Sequence, residues 1–439
     1  MSIKNSVSTA RRNFLKGAGA SVGSAAVLAG LNSSASAQSS EPIVIGCPTP
    51  LTGIVAADGI EIRRGLEMAA EEINELGGIL GRPIEMVFVD TESKGDDVVI
   101  QAVQRLVDRD NASAVICGYN LESGTALHNV AADSGIVAMH AITTSIHDET
   151  VKSDPDRYWG IFQYDPPETF YGLGLLKFIQ GLEESGRFKR SGNKIAIVNG
   201  PGPYAASIAN AIRDGAADFG YEVSLYETVN APVTDWGPTL AKLRSDPPAI
   251  IAMTHFYAQD QAVFMNQFMT DPTNSLIYLQ YGASLAAFRD IAGDNSVGCI
   301  YSSVIGVLHD EIGTKFAEAY RGRFGESASP NGGGMSYQAL YAYATAAALA
   351  GGSGAAYETE QNHLVAGRLA SLIYRGPMGT LRFHRDTQSA YSYPAEINDP
   401  SLGMPHIFSQ IQDKRKDGIL IAPPPYEKAA FKMPPWTQG

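Results

Sequence analysis

The residue types able to do chemistry are sparse in this chain and badly spaced for catalysis. Eight histidines are present, but none forms His-Glu-x-x-His, and no His makes a close pair with a Cys or a carboxylate at metal-ligand spacing. His128, His140, His147 and His255 therefore read as structural or ligand-facing residues, and no metal is expected. No Gly-x-Ser-x-Gly elbow occurs, and Cys47, Cys117 and Cys299 each lie inside an apolar run that reads as a buried strand. They are expected to be buried thiols. The cluster Gly332-Gly333-Gly334 has no strand before it and no Lys after it, so it reads as a loop and not as a phosphate cradle. An enzyme is left without a nucleophile, a metal cluster or a cofactor loop, and no cofactor is implied.

The elements around these residues alternate. Ile43-Val44-Ile45-Gly46 is a short apolar strand, and after a loop Ile62, Leu66, Ala69, Ala70, Ile73 and Leu76 recur at helical spacing up to Gly77-Gly78. Strands at 84–89, 112–117 and 136–141 then alternate with helices at 96–108 and 123–132. The alternation starts afresh at 194–199 and runs through a helix at 204–219, strands at 223–226, 250–254 and 276–280, and helices at 238–243, 259–269 and 283–291. Such alternation predicts an α/β fold of two doubly wound parallel-sheet lobes. Crossings between lobes are expected near 159–165, 302–307 and 376–383. Helices at 311–324 and 336–350 then return to cover the first sheet, which puts 42–160 and 308–375 in one lobe and 161–307 and 376–439 in the other. The Pro-rich tail from Asn398 reads as a surface wrap on the second lobe.

The first residues carry Lys4, Arg11, Arg12 and Lys16 with no acidic residue before Glu41, followed by a small-residue apolar stretch ending in Ala35-Ser36-Ala37. That is a targeting segment, too short and too rich in Gly and Ser to span a bilayer, with cleavage expected after Ala37. Arg11-Arg12-Asn13-Phe14-Leu15-Lys16 resembles the twin-arginine export motif, with Ala10 where Ser or Thr is usual. Export to the periplasm is expected. Removing 1–37 takes away four positive charges, and the formal charge of −13 becomes −17. Nucleic acid is not a partner for so acidic a protein.

The stretches Ile45-Gly46 to Pro50-Leu51-Thr52-Gly53, Ile73-Asn74-Glu75-Leu76-Gly77-Gly78-Ile79 and Gly81-Arg82-Pro83-Ile84 resemble the leucine/isoleucine/valine-binding family of periplasmic proteins. Asp290-Ile291-Ala292-Gly293 and Gly376-Pro377-Met378-Gly379 continue the similarity. The resemblance implies a type I periplasmic binding protein, the solute-binding component of an ABC importer. Such a component is a monomer that closes two lobes on a small molecule and hands it to an inner-membrane permease and ATPase complex.

It also implies site positions. Glu122 stands where amino-acid-binding members place a carboxylate-binding Ser, with Ser123 next to it. Thr143-Thr144-Ser145 keeps the second anchor, whose hydroxyls and N–H groups suit a carboxylate or amide. Tyr204 and Phe256 or Tyr257 match aromatic walls. Tyr281 occupies the position of the acidic residue that holds the ligand ammonium in amino-acid-binding members, so a counter-charge must come from Glu122, Asp58 or Glu168, or the ligand lacks an α-ammonium. The ligand expected is an amino acid or a related small polar molecule, with a urea, short-chain amide or small aromatic acid as alternatives. A sensory module built on the same trap is the competing use of the fold.

Overall fold

The computed structural model describes residues 41–120, 124–304 and 306–437; the expected targeting segment, and with it the twin-arginine motif, lies outside them, as do Glu122 and Ser123. The first lobe is built on β1 (Ile43–Thr49), β2 (Ile84–Asp90), β3 (Ala114–Ile116), β4 (Val137–His140) and β5 (Ile161–Gln163), joined by α1 (Ala56–Glu75), α2 (Asp96–Asp108), α3 (Ala126–Asp133) and α4 (Ser145–Ser153). The strands run in the order β2-β1-β3-β4-β5, every pair parallel. Parallel strands are covered on both faces, which is why β1, β3 and β4 read as unbroken apolar runs.

The second lobe contains α5 (Thr169–Glu184), β6 (Lys194–Asn199), α6 (Pro203–Gly215), β7 (Glu222–Thr228), α7 (Gly237–Ser245), β8 (Ile250–Met253), α8 (Ala258–Phe268), β9 (Leu276–Gln280), α9 (Ala286–Ala292) and β10 (Ile300–Ser303). After β10 the chain returns to the first lobe as α10 (Glu311–Phe324), α11 (Pro330–Leu349) and α12 (Thr359–Ala370). Two small pairs follow, β11 (Tyr374–Gly376) with β12 (Gly379–Leu381) and β13 (Ser392–Tyr393) with β14 (Met404–Pro405).

The tail is not a surface wrap. Its strands β15 (Ile407–Gln410) and β16 (Ile419–Ala422) extend the second sheet antiparallel, in the order β16-β15-β10-β9-β8-β6-β7. The apolar pairs Ile407-Phe408 and Leu420-Ile421 are buried there. They are too short to stand out among prolines in the sequence. The lobe boundaries also move. β5 pairs with β4, so the chain leaves the first sheet after Gln163 and not at Gly160. The outer edge of β5 is closed by the later segment: Gln163 N donates to Gln388 O at 3.0 Å and Ala390 N to Gln163 O at 2.9 Å. Residues 376–390 therefore stay with the first lobe and cross only afterwards.

Gly332-Gly333-Gly334 is not a loop. It forms the first turns of α11, started by Pro330 at a position where a missing N–H costs nothing. Glycine there serves close packing: a Cβ on Gly65 of α1 would lie 2.0 Å from Gly333 O, and one on Gly333 would meet the Tyr320 ring at 2.3 to 2.4 Å. The Ser336 hydroxyl seals the contact by donating to Ile62 O at 2.8 Å. Gly65→Val must push α1 and α11 apart and is expected to cost about 1–3 kcal/mol. Gly181→Ala, on α5 with no neighbour near its Cβ position, is expected to be neutral or stabilising by up to about 1 kcal/mol. Urea unfolding of both variants beside the parent checks the pair.

Candidate functional site

A cavity of about 360 Å³ lies between the lobes at the carboxyl ends of the strands, where open α/β sheets place their ligands. The first lobe contributes Tyr119, Asn120 and Ala141–Thr144, the second Pro201–Tyr204, Phe256, Tyr257 and Tyr281, and Tyr171 of α5 completes the wall. Among the described residues no Lys, Arg, His, Asp or Glu lines it. The rings brace one another. Tyr204 stands edge-on to Phe256 at 5.3 Å and to Tyr171 at 6.1 Å, and Phe256 packs on Tyr257 at 4.6 Å.

Thr143, Thr144, Tyr204, Tyr257 and Tyr281 therefore share one cavity, as does Phe256, whereas Ser145 does not line it. Ser145 is occupied elsewhere. Its N–H donates to Glu168 Oε2 at 2.6 Å and its hydroxyl to Glu168 Oε1 at 2.9 Å. Thr144 caps α4 by accepting from Ile146 N at 3.2 Å, and its own N–H donates to Gln163 Oε1 at 2.9 Å. A helix N-terminus attracts an anion, and here the protein supplies one: Glu168, 3% exposed, sits on the anchor that the family resemblance assigned to a ligand carboxylate. Burial raises its pKa, and the hydroxyls of Ser145 and Ser207 oppose that rise.

The ammonium side is closed in the same manner. Tyr281, from the second lobe, donates its hydroxyl to Asp58 Oδ1 on α1, and Tyr119 donates to Asp58 Oδ2 at 2.6 Å. Both carboxylate oxygens are thus engaged, and the Tyr281 bond spans the two lobes. Burial raises the Asp58 pKa, and the two hydroxyls hold it back. The remaining polar groups at the wall are neutral: Tyr204 Oη accepts from Gln280 Nε2 at 2.8 Å and keeps its own proton to donate.

Two wall residues are strained. Thr143 and Tyr281 have φ of 56° and 54°, a left-handed region that non-glycine residues enter at a cost of about 1–3 kcal/mol and that clusters at ligand sites. Thr143 is held by Asp165, whose Oδ2 accepts the threonine hydroxyl while its Oδ1 finds no partner. Tyr119, Asn120 and Tyr171 are wall residues that sequence reasoning missed. The first two follow strand β3, and a search of strand carboxyl ends would have found them.

The profile of the periplasmic binding protein family matches residues 42–393, and this chain belongs to that family of two-lobed binding proteins. A crystal structure from Silicibacter pomeroyi, provisionally assigned to a branched-chain amino acid ABC transporter, is 71% identical; the match covers 90% of this chain and 100% of that one with a TM-score of 0.87. The chain also matches Leu/Ile/Val-binding protein homolog 2 of Brucella abortus (strain 2308) at 27% identity over 46% of this chain, spanning about half (51%) of that relative's length. A Streptococcus pneumoniae branched-chain amino acid binding protein in complex with isoleucine superposes with a TM-score of 0.67 over 87% of this chain and 100% of that one. At 20% identity it shares the fold.

Burial raises the Asp165 pKa from 3.8 to about 8. The folded protein then holds a proton that the unfolded chain releases near pH 4, so the Asp165 contribution to stability is fully present below about pH 4 and is lost as pH rises toward 8, by up to ~1.4 kcal/mol per pH unit. Asp165→Asn removes this component. Unfolding free energies measured across that range should converge toward or cross those of the parent as pH rises, whereas parallel profiles would mean that Asp165 is ionised in the fold.

Proposed function

We propose that the protein is the extracytoplasmic solute-binding component of an ABC importer, and that its ligand is a small molecule with an apolar or aromatic body and an uncharged polar end, such as an amide. The single observation that carries the ligand reading is the internal pairing of Glu168 and Asp58, which leaves no free charge on the tyrosine wall among the described residues. An unpartnered ligand ion in such a cavity costs several kcal/mol. Tyrosine rings instead offer apolar area with hydroxyls at the edge, which suits an amide, a urea or an aromatic group. Delivery to a membrane permease and its ATPase, and action as a monomer, belong to the same proposal, and the family resemblance supports them.

A second reading, a branched-chain amino acid, is favoured by what the 71% identical protein is described as transporting. It requires Tyr281 and Tyr204 hydroxyls to take over from charged groups. Thermal unfolding of ligand-stripped protein separates the two, since a ligand at 100 times its Kd adds about 2.7 kcal/mol. Stabilisation by amides, ureas or aromatic solutes, with none from leucine, isoleucine or valine, is the expected result. Stabilisation by the amino acids alone would reverse the preference, and silence across the panel would sink the binding-protein reading for small polar solutes.

The bond between Tyr281 and Asp58 joins the lobes in the closed arrangement. Tyr281→Phe keeps the ring and removes a hydrogen bond to a carboxylate, a loss of about 1.5–3 kcal/mol, so calorimetric Kd for whichever solute binds should rise about 10–100-fold.

A further inference from the structure

The three histidines that the sequence keeps apart meet in space. His128 on α3, His140 at the end of β4 and His147 in the first turn of α4 are each 0% exposed. Their ring centroids form a nearly equilateral triangle with sides of 4.8, 4.9 and 5.1 Å. One nitrogen of each ring points to the centre: His128 Nε2 lies 2.9 Å and His140 Nε2 3.1 Å from His147 Nδ1. All three nitrogens fall within 4.8 Å of one another.

Hydrogen bonding alone leaves this group poorly satisfied. His147 Nδ1 either accepts one N–H or donates its own proton once, so it cannot pair fully with both His128 Nε2 and His140 Nε2. On the outer side His128 Nδ1 has no partner, while the backbone of Thr387 and Gln388 faces the His147 ring and takes its hydrogen bond. Buried polar atoms are rarely left this way. The cluster is held as neutral imidazoles, since burial pushes all three pKa values down, that of His128 to about 4. Neutral imidazole is the form that ligates metals.

We propose that His128, His140 and His147 bind one divalent cation of the zinc class. A cation ~2.0–2.1 Å from each nitrogen sets tetrahedral ligands roughly 3.3 Å apart, close to two of the separations seen here, and three imidazoles suit Zn²⁺, Co²⁺ or Cu²⁺ better than Mg²⁺ or Ca²⁺. The ion takes all three inward lone pairs at once and fixes the outer His147 nitrogen as an N–H donor to the backbone of Thr387 and Gln388 that faces it. It does so where it matters for the cavity, because His140 and His147 bracket the loop whose residues Ala141–Thr144 form part of the wall. The site is a staple for that loop and takes no part in holding the solute. Being sealed from solvent, it is loaded as the chain folds.

The test uses the full chain without a histidine tag, unfolded with a chelator and refolded with Zn²⁺ or Co²⁺, then dialysed. Close to one equivalent of metal per chain is expected by mass spectrometry, and the Co²⁺ form should show the intense visible absorption of a low-coordinate nitrogen site. His128→Asn and His147→Gln should lower retention by at least about tenfold, while His255→Gln, whose ring pairs with Asp260 at 2.8 Å, should leave it unchanged. No retained metal in the parent, or equal retention in the histidine variants, would overturn the proposal. Should those variants fail to refold, the parent's Co²⁺ spectrum decides alone: an octahedral, pale spectrum or none at all overturns it. None of these readouts depends on which solute the cavity takes.

Discussion

The seat of Glu168 on the N-terminus of α4 is the interaction on which the cleft depends. An anion buried without partners costs several kcal/mol, and a helix N-terminus with free N–H groups is nearly as demanding. Each solves the other's problem through the Ser145 N–H and hydroxyl. The consequence reaches further than one bond. In a two-lobed trap the start of this helix is an obvious place for a ligand anion, and here Glu168 of the protein occupies it. Asp58 is treated alike, with one oxygen for Tyr119 and one for Tyr281. What remains for a solute among the described residues is the ring faces and the Tyr204 hydroxyl proton.

The same loop is coupled to the crossing between lobes. Gln163 ends β5, accepts from Thr144 N through its side chain, and exchanges backbone hydrogen bonds with Gln388 and Ala390. Asp165, two residues on, takes the hydroxyl of Thr143, and Tyr171 Oη accepts from Val304 N in the next crossing at 3.1 Å. The strained backbone of Thr143 is thus held from the segment that bends when the lobes move. Strain persists only where the surroundings over-determine it, and here they do so from the hinge side.

Much of the fold was legible in the sequence, because parallel strands buried on both faces leave continuous apolar runs and their helices keep a clean 3.6 period. The helices 96–108 and 311–324 and the strand 276–280 have the bounds that the pattern predicts. Failures arose where a residue's role is set by a distant neighbour. Gly332–Gly334 looks like a turn until Gly65 is known to lie against it, and β15 and β16 gain strand character only from the open edge of β10. For the site, Tyr204, Tyr257 and Tyr281 could be named from the family resemblance, which places binding residues at those positions. The fate of Ser145 could not, since nothing near it in the sequence says that Glu168, 23 residues later, takes its N–H. The histidines failed for the same reason: spacings of 12 and 7 match no metal motif, and only the packing of α3, β4 and α4 brings the rings together.

A direct bond between lobes has a thermodynamic consequence. Solute can shift the balance between open and closed forms only by its differential affinity for them. The bond from Tyr281 to Asp58 makes closure less unfavourable by itself, so less of the solute's binding energy is needed to achieve it. That matters when the solute brings no charge, for then its affinity rests on area and a few neutral hydrogen bonds. Any ligand that touches both lobes draws them together, and the contacts of a neutral one are individually weaker than those of a charged one. Tyr281, reaching across the cleft to Asp58, adds a tie between lobes to whatever contacts a solute makes with each of them.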